Sequence, residues 1–113
     1  MLTPDEIETL VRRIVARIQP QRVILFGSYA KGTATIKSDL DILVIKETDL
    51  PMASRADDLK PMLGHTLVPV DVHVYTPEEV EEYRHEEFLF VSDILKSGKT
   101  VFEASPQNIR LGD

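Results

Sequence analysis

Apolar residues recur at helical spacing near the start of the chain: Ile7, Leu10, Val11, Ile14 and Ile18 share one helix face. Ahead of them, Thr3 supplies a hydroxyl N-cap, Pro4 a first helical position and Glu6 the acid of a capping box. The pattern predicts a helix that runs to about Ile18. It stops before Pro20, because the residue preceding a proline is pushed out of helical conformation. Val23-Ile24-Leu25-Phe26 is then a short unbroken apolar run, the pattern of a strand buried on both faces. It ends directly on Gly27-Ser28. Residues 29–38 carry Gly32, several hydroxyl side chains and two lysines, and predict a turn or one short helix followed by a loop. Asp39 to Ile45 reads as a second strand, with two aspartates at its mouth and an apolar run behind them.

Residues 47–54 are a polar connection. Arg55 to Leu63 predicts a helix with Ala56, Leu59 and Leu63 on one face, although Pro61 falls inside it. Val68 to Thr76 alternates, placing Val70, Val72 and Val74 on one side of a third strand and Asp71, His73 and Tyr75 on the other. Thr76-Pro77-Glu78-Glu79 repeats the capping logic of the first helix and opens a helical stretch, broken on the way, that reaches Lys96. Gly98 suits its C-terminal end, and Thr100 to Phe102 adds a short edge strand. The tail ASPQNIRLGD has little pattern. It is expected to be loose or to contact a partner, with Ile109 and Leu111 as its only anchors. This order of elements predicts an α/β fold, helices packed about one small sheet. The connection between the first two strands fits either a long hairpin or a tight crossover.

Composition narrows the function classes. A chain of 113 residues with 42% apolar and 28% charged positions has the balance of a single globular domain. It lacks cysteine, which removes disulfide frameworks and thiolate metal sites. The acidic start MLTPDEIETL is unlike a signal peptide, and no apolar run approaches the roughly 20 residues that span a bilayer, so a cytoplasmic protein without a membrane partner is expected. A net charge of −6 argues against direct nucleic-acid binding. The one basic cluster is Arg12, Arg13 and Arg17. Arg12 has Glu8 one turn earlier and Arg17 lies in the last turn, whereas Arg13 has no acid at that spacing; the cluster reads first as a solvated helix face, with a negative partner docking there as the alternative.

The chemistry centres on the aspartates. Residues i and i+2 of a strand point to the same face, about 6.6 Å apart, so Asp39 and Asp41 project side by side. Two unpaired carboxylates so close repel each other and resist burial, and a divalent cation resolves both problems. Oxygen donors without cysteine favour Mg²⁺ or Mn²⁺ over Zn²⁺. Asp71 adds a third carboxylate if its strand lies beside the second, enough for two metal ions and an in-line phosphoryl displacement. Gly27-Ser28 supplies close backbone approach, N–H donors and a hydroxyl for phosphate. Lys31 and Lys37 flank that loop and are candidates to steady a triphosphate. His73 and Tyr75 share the Asp71 face, as candidates to line the cleft and to stack on a base.

The stretch GSYAKGTATIKSDLDILV, with Gly-Ser, ten residues and Asp-x-Asp, resembles the signature of the minimal nucleotidyltransferases of the DNA polymerase β superfamily. Ala30, Gly32 and Ser38 fit its small-residue pattern, Asp71 stands where that family carries its third carboxylate, and the closing Leu95-Lys96-Ser97-Gly98 also matches. The resemblance implies a polymerase-β-like fold over residues 1–103, with 104–113 as a tail. It implies Asp39, Asp41 and Asp71 as catalytic and metal-binding residues, and Gly27, Ser28, Lys31 and Ser38 as nucleotide-binding ones. Two Mg²⁺ ions and ATP are the implied cofactor and substrate. The implied partner is a HEPN-domain ribonuclease toxin, held in a hetero-oligomer and inactivated by transfer of AMP to a hydroxyl, usually of tyrosine. The chain would then be the antitoxin. Two other readings stay open: an antitoxin that neutralises by contact alone, and a transferase acting on small molecules.

Overall fold

The computed structural model describes residues 1–86 and 90–104. Helix α1, Pro4–Ile18, carries the expected capping box, with the Thr3 hydroxyl and the Glu6 carboxylate each accepting from the other's backbone N–H. Leu10, Val11, Ile14 and Ile18 are its buried stripe. Strand β1 spans Arg22–Phe26, and Val23, Ile24 and Leu25 are buried on both sides of it. A one-turn helix α2, Ser28–Lys31, follows, and Gly32 closes it in the left-handed conformation. Strand β2 is Leu40–Ile45, so Asp39 stands one residue before the strand and does not begin it.

The helix expected over Arg55–Leu63 does not form as one piece. Two 3₁₀ turns, Met52–Ser54 and Asp57–Leu59, lead into a single turn α3, Lys60–Leu63. Pro61 explains the break: it has no N–H to extend an upstream helix and is tolerated only in a first turn, which is where it sits. Strand β3, Val70–Tyr75, is shorter than the alternating run that announced it, beginning after Pro69. The second capped helix splits into α4, Pro77–Tyr83, and α5, Phe90–Ser97, with residues 87–89 outside the described residues. Strand β4, Lys99–Glu103, is the expected edge strand, one residue longer at each end. Residues 105–113 also lie outside the described residues, and with them the readings made for Ile109 and Leu111.

The sheet order is β3-β2-β1-β4, and its pairings decide the question the spacing left open. β1 and β2 are antiparallel, so the connection through α2 is a long hairpin and not a crossover. β2 and β3 are parallel, joined by the segment containing α3, and β1 and β4 are antiparallel. One sheet face packs Val23, Leu25, Leu40, Ile42, Val44 and Val74 against α1 and the α3 region. The other face packs Ile24, Leu43 and Ile45 against Ile94 of α5, with Val80 of α4 at its margin. Leu40, Ile42, Leu43 and Val44 have no exposed surface, and burying each such side chain contributes about 1.5–3 kcal/mol. β2 is thus held from both faces, which fixes the residues at its mouth. Gly98 lets α5 turn into β4: a methyl there would meet the Ile94 carbonyl at 2.5 Å and the Ile24 side chain at 2.6 Å.

Candidate active site

Three strands deliver residues to one end of this sheet. β1 exits there at Phe26, while β2 and β3 both begin there. Phe26 pairs with Asp41, and Asp41 pairs in turn with Asp71. Neighbouring strands lie about 4.8 Å apart, so Asp41 and Asp71 stand side by side. Alternation puts them on the face that also carries Leu43, Ile45 and Tyr75, away from α1. Asp39 flanks the same end, one residue ahead of β2. Asp71 comes to lie beside Asp41 through a parallel β2–β3 pairing that no single stretch of sequence specifies.

The carboxylates act on one another at Asp41. Asp41 is half-buried, and burial, followed by repulsion from Asp71 and Asp39, pushes its carboxyl above the ordinary value; His73 partly offsets this. Asp39 and Asp71 are exposed. Among the described residues, none of the three accepts a hydrogen bond or pairs with a lysine or arginine. Nor do any three His, Cys, Asp or Glu side chains among the described residues already stand at metal-holding positions.

Gly27 adjoins the carboxylates directly. Its backbone has φ 76° and ψ −155°, a region essentially reserved for glycine. A Cβ at this position would collide with Oδ2 of Asp41. The glycine therefore permits both the turn out of β1 and the approach of that turn to the acid. Ser28 follows at the start of α2, where the first-turn N–H groups lack helical acceptors. Lys31 lies one turn later and is exposed, as is Lys37. The Ser38 hydroxyl accepts from the Thr35 N–H at 2.8 Å and shapes the loop leading to Asp39. His73 and Tyr75 do share the Asp71 face, and both rings pack against Phe90 at the start of α5, at centroid distances of 5.3 and 6.0 Å.

Two further contacts were missed by sequence reasoning. The Tyr29 hydroxyl accepts from the Leu2 N–H at 3.1 Å and ties α2 to the N-terminus. Arg55 clamps the segment between β2 and β3: it holds Glu79 through two hydrogen bonds, of 2.6 and 3.2 Å, and donates to the Leu50 and Val74 carbonyls. The i to i+24 spacing of that pair carries no local signal. One apolar groove of about 760 Å³ runs between α1 and β4, and another of about 550 Å³ is bounded by Arg13, Arg17 and His65. Neither is lined by Asp39, Asp41 or Asp71. No helix among the described residues is long and apolar enough to cross a membrane.

The family model described as "Nucleotidyltransferase domain" matches residues 7–101, a span that takes in the Gly-Ser step and all three aspartates. The chain belongs to the nucleotidyltransferase domain family. Solved structures agree on the fold of this nucleotidyltransferase domain. A chain of a toxin–antitoxin crystal structure with AMP-PNP superposes with a TM-score of 0.63 at 23% identity, covering 92% of this chain and 78% of the other. A candidate nucleotidyltransferase from Sulfolobus solfataricus gives 0.59 at 19% identity, covering 86% and 77%. A chain of the tri-AMPylated Shewanella oneidensis HEPN toxin in complex with its MNT antitoxin gives 0.52 at 20% identity, covering 95% and 74%. In sequence, the candidate protein adenylyltransferase MJ0604 of Methanocaldococcus jannaschii is 52% identical over 29 residues. That match spans 26% of this chain and 29% of the relative.

Proposed function

We propose that this nucleotidyltransferase domain transfers AMP from ATP to a hydroxyl of a partner protein, a tyrosine of a HEPN-domain toxin, and so acts as its antitoxin. The observation that carries the reading is the Asp41–Asp71 pair, unneutralised, with Asp39 two residues ahead of Asp41 and the Gly27 backbone packed against the Asp41 carboxylate. A fold does not need three acids at one strand end, and leaving them unpaired costs stability. The structural relatives in complexes with toxins, and the AMP-PNP found in one of them, support the partner and the nucleotide.

The donor set fits Mg²⁺: hard carboxylate oxygens, no cysteine, and an Asp41 whose charged form is disfavoured until a cation arrives. Asp39 and Asp71 are exposed and free to rotate toward it. When bound, Mg²⁺ neutralises the phosphate oxygens and holds them for in-line displacement. The chain's own residues do the rest. Gly27 and Ser28 present N–H groups and a hydroxyl to the terminal phosphates. Asp71, on the neighbouring strand, accepts the proton of the attacking hydroxyl. That oxygen bonds to the α-phosphorus, the bond from the α-phosphorus to the oxygen bridging to the β-phosphate breaks, and pyrophosphate leaves. Positioning and charge supply most of the acceleration in such a reaction.

The test is incubation with Mg²⁺, ATP labelled at the α-phosphate and a HEPN-domain toxin as the acceptor. Wild type should label the partner, and Asp39→Asn/Asp41→Asn and Asp71→Asn should lower labelling at least about a hundredfold, as losing a charge-positioning group does. Equal labelling by these variants would refute the reading. Toxin neutralisation that survives them would replace transfer by contact alone.

A further inference from the structure

Beside the carboxylates lies a wall of rings to which the transfer chemistry gives no task. Phe26 is the last residue of β1, directly before Gly27 and paired across the sheet with Asp41. His73 stands two residues beyond Asp71 on the same face of β3. Phe90, at the start of α5, brings the two together, its ring 6.2 Å from that of Phe26 and 5.3 Å from that of His73. Tyr75 backs Phe90 from the far side at 6.0 Å. A ring enclosed by three others would ordinarily be core. Phe90 nevertheless keeps 43% of its surface exposed. The other large apolar side chains exposed among the described residues, such as Ile36 and Leu67, make no ring contact with this cluster.

We propose that the exposed face of Phe90, braced by Phe26 and His73, is the stacking platform for the base of the nucleotide. The inference rests on the nucleotidyl-transfer reading and extends it to base recognition. Two arguments favour the base over an aromatic acceptor side chain. The wall joins the phosphate cradle through one peptide bond, Phe26 to Gly27, so a group tethered to the phosphates reaches it. Stacking also asks only for a planar π-face, which every base has, and among the described residues of the ring cluster only the His73 ring and the Tyr75 hydroxyl carry a hydrogen-bonding group. The platform is therefore expected to be tolerant among purine triphosphates.

Equilibrium binding in Mg²⁺ separates the possibilities, with ATP and inorganic tripolyphosphate as the two probes. Phe90→Ala should weaken ATP about tenfold, a moderate loss for one stacked base, and leave tripolyphosphate affinity unchanged. Phe90→Leu keeps the apolar contact without the ring and should resemble Phe90→Ala. Unchanged tripolyphosphate binding also shows that each variant is folded. ATP affinity equal to wild type in both variants would overturn the platform, as would a defect confined to the KM for the acceptor protein. Wild type binding neither probe would overturn the transfer reading itself, and the platform with it.

Discussion

Asp41→Asn should make the protein more stable while abolishing transfer. Asp41 is half-buried and stands beside Asp71 in the parallel register, with Asp39 two residues back. At about 5 Å, two unit charges repel by about 0.8 kcal/mol at the dielectric constant of water and about 3 kcal/mol at the effective value near a protein surface. Solvent at the open strand end screens the interaction toward the lower figure, about 1 kcal/mol. Burial and the two neighbouring acids raise the Asp41 carboxyl above its ordinary value. The folded chain thus binds this proton more readily than the unfolded one. The associated stability is complete below the unfolded carboxylate value and is lost as pH rises through the folded one. At neutral pH the deficit is at its full size, and replacing the charge by an amide removes it. The expected gain is about 1 kcal/mol, or roughly 5 °C in Tm for a domain of this size. Thermal melts of the two proteins without divalent cation, at pH 7 and near pH 3, measure it: the variant should melt higher at pH 7, and the gap should close in acid. Adding Mg²⁺ at pH 7 should then raise the wild-type Tm more than that of the variant. An Asp41→Asn protein that melts at or below wild type at pH 7 would refute the account of an electrostatically strained site.

Arg55→Ala should cost about 2–3 kcal/mol in denaturant melts, somewhat less than a fully buried pair, because the Glu79 side chain keeps 24% exposure. The Arg55 hydrogen bond holds the Glu79 carboxyl below its ordinary value. The stability it contributes is present above that ordinary value and lost as pH falls through the lower one, so the gap between wild type and variant should narrow below about pH 4. Gly27→Ala combines a positive φ with a collision against Asp41; it should lose about 1–3 kcal/mol and transfer activity together, whereas Gly32→Ala, whose Cβ meets nothing within 4 Å, should pay only the backbone strain and retain transfer. Thr76→Ala removes the cap that accepts from the Glu79 N–H at 3.1 Å and should lower stability by about 1 kcal/mol with transfer unchanged. Transfer that fell with the Thr76 variant would show that α4 bears on the site.

Local chemistry was legible in the sequence. The capping boxes at Thr3 and Thr76 are contained within four residues each, and both formed. The alternation of Val70, Val72 and Val74 against Asp71, His73 and Tyr75 fixed the faces of β3, because strand periodicity needs no partner to be read. The Gly27-Ser28 turn at the end of β1 and the Asp41 carboxylate at the start of β2 were legible for the same reason: each lies in a short stretch. Where two local preferences conflicted, at Pro61 inside an apolar helical pattern, the pattern alone misled, and the segment became short turns. Tertiary structure decided what depends on distance in sequence. The parallel register of β2 and β3 brings Asp71 beside Asp41, the antiparallel hairpin carries Gly27 to the Asp41 carboxylate, and Arg55 finds Glu79 across 24 residues. The ring of Phe90 reaches the wall of the site by the same means. A sequence states which groups are available and how each segment is inclined to fold. Which of those groups meet is set by the burial of two apolar sheet faces, a sum over the whole chain that no single segment contains.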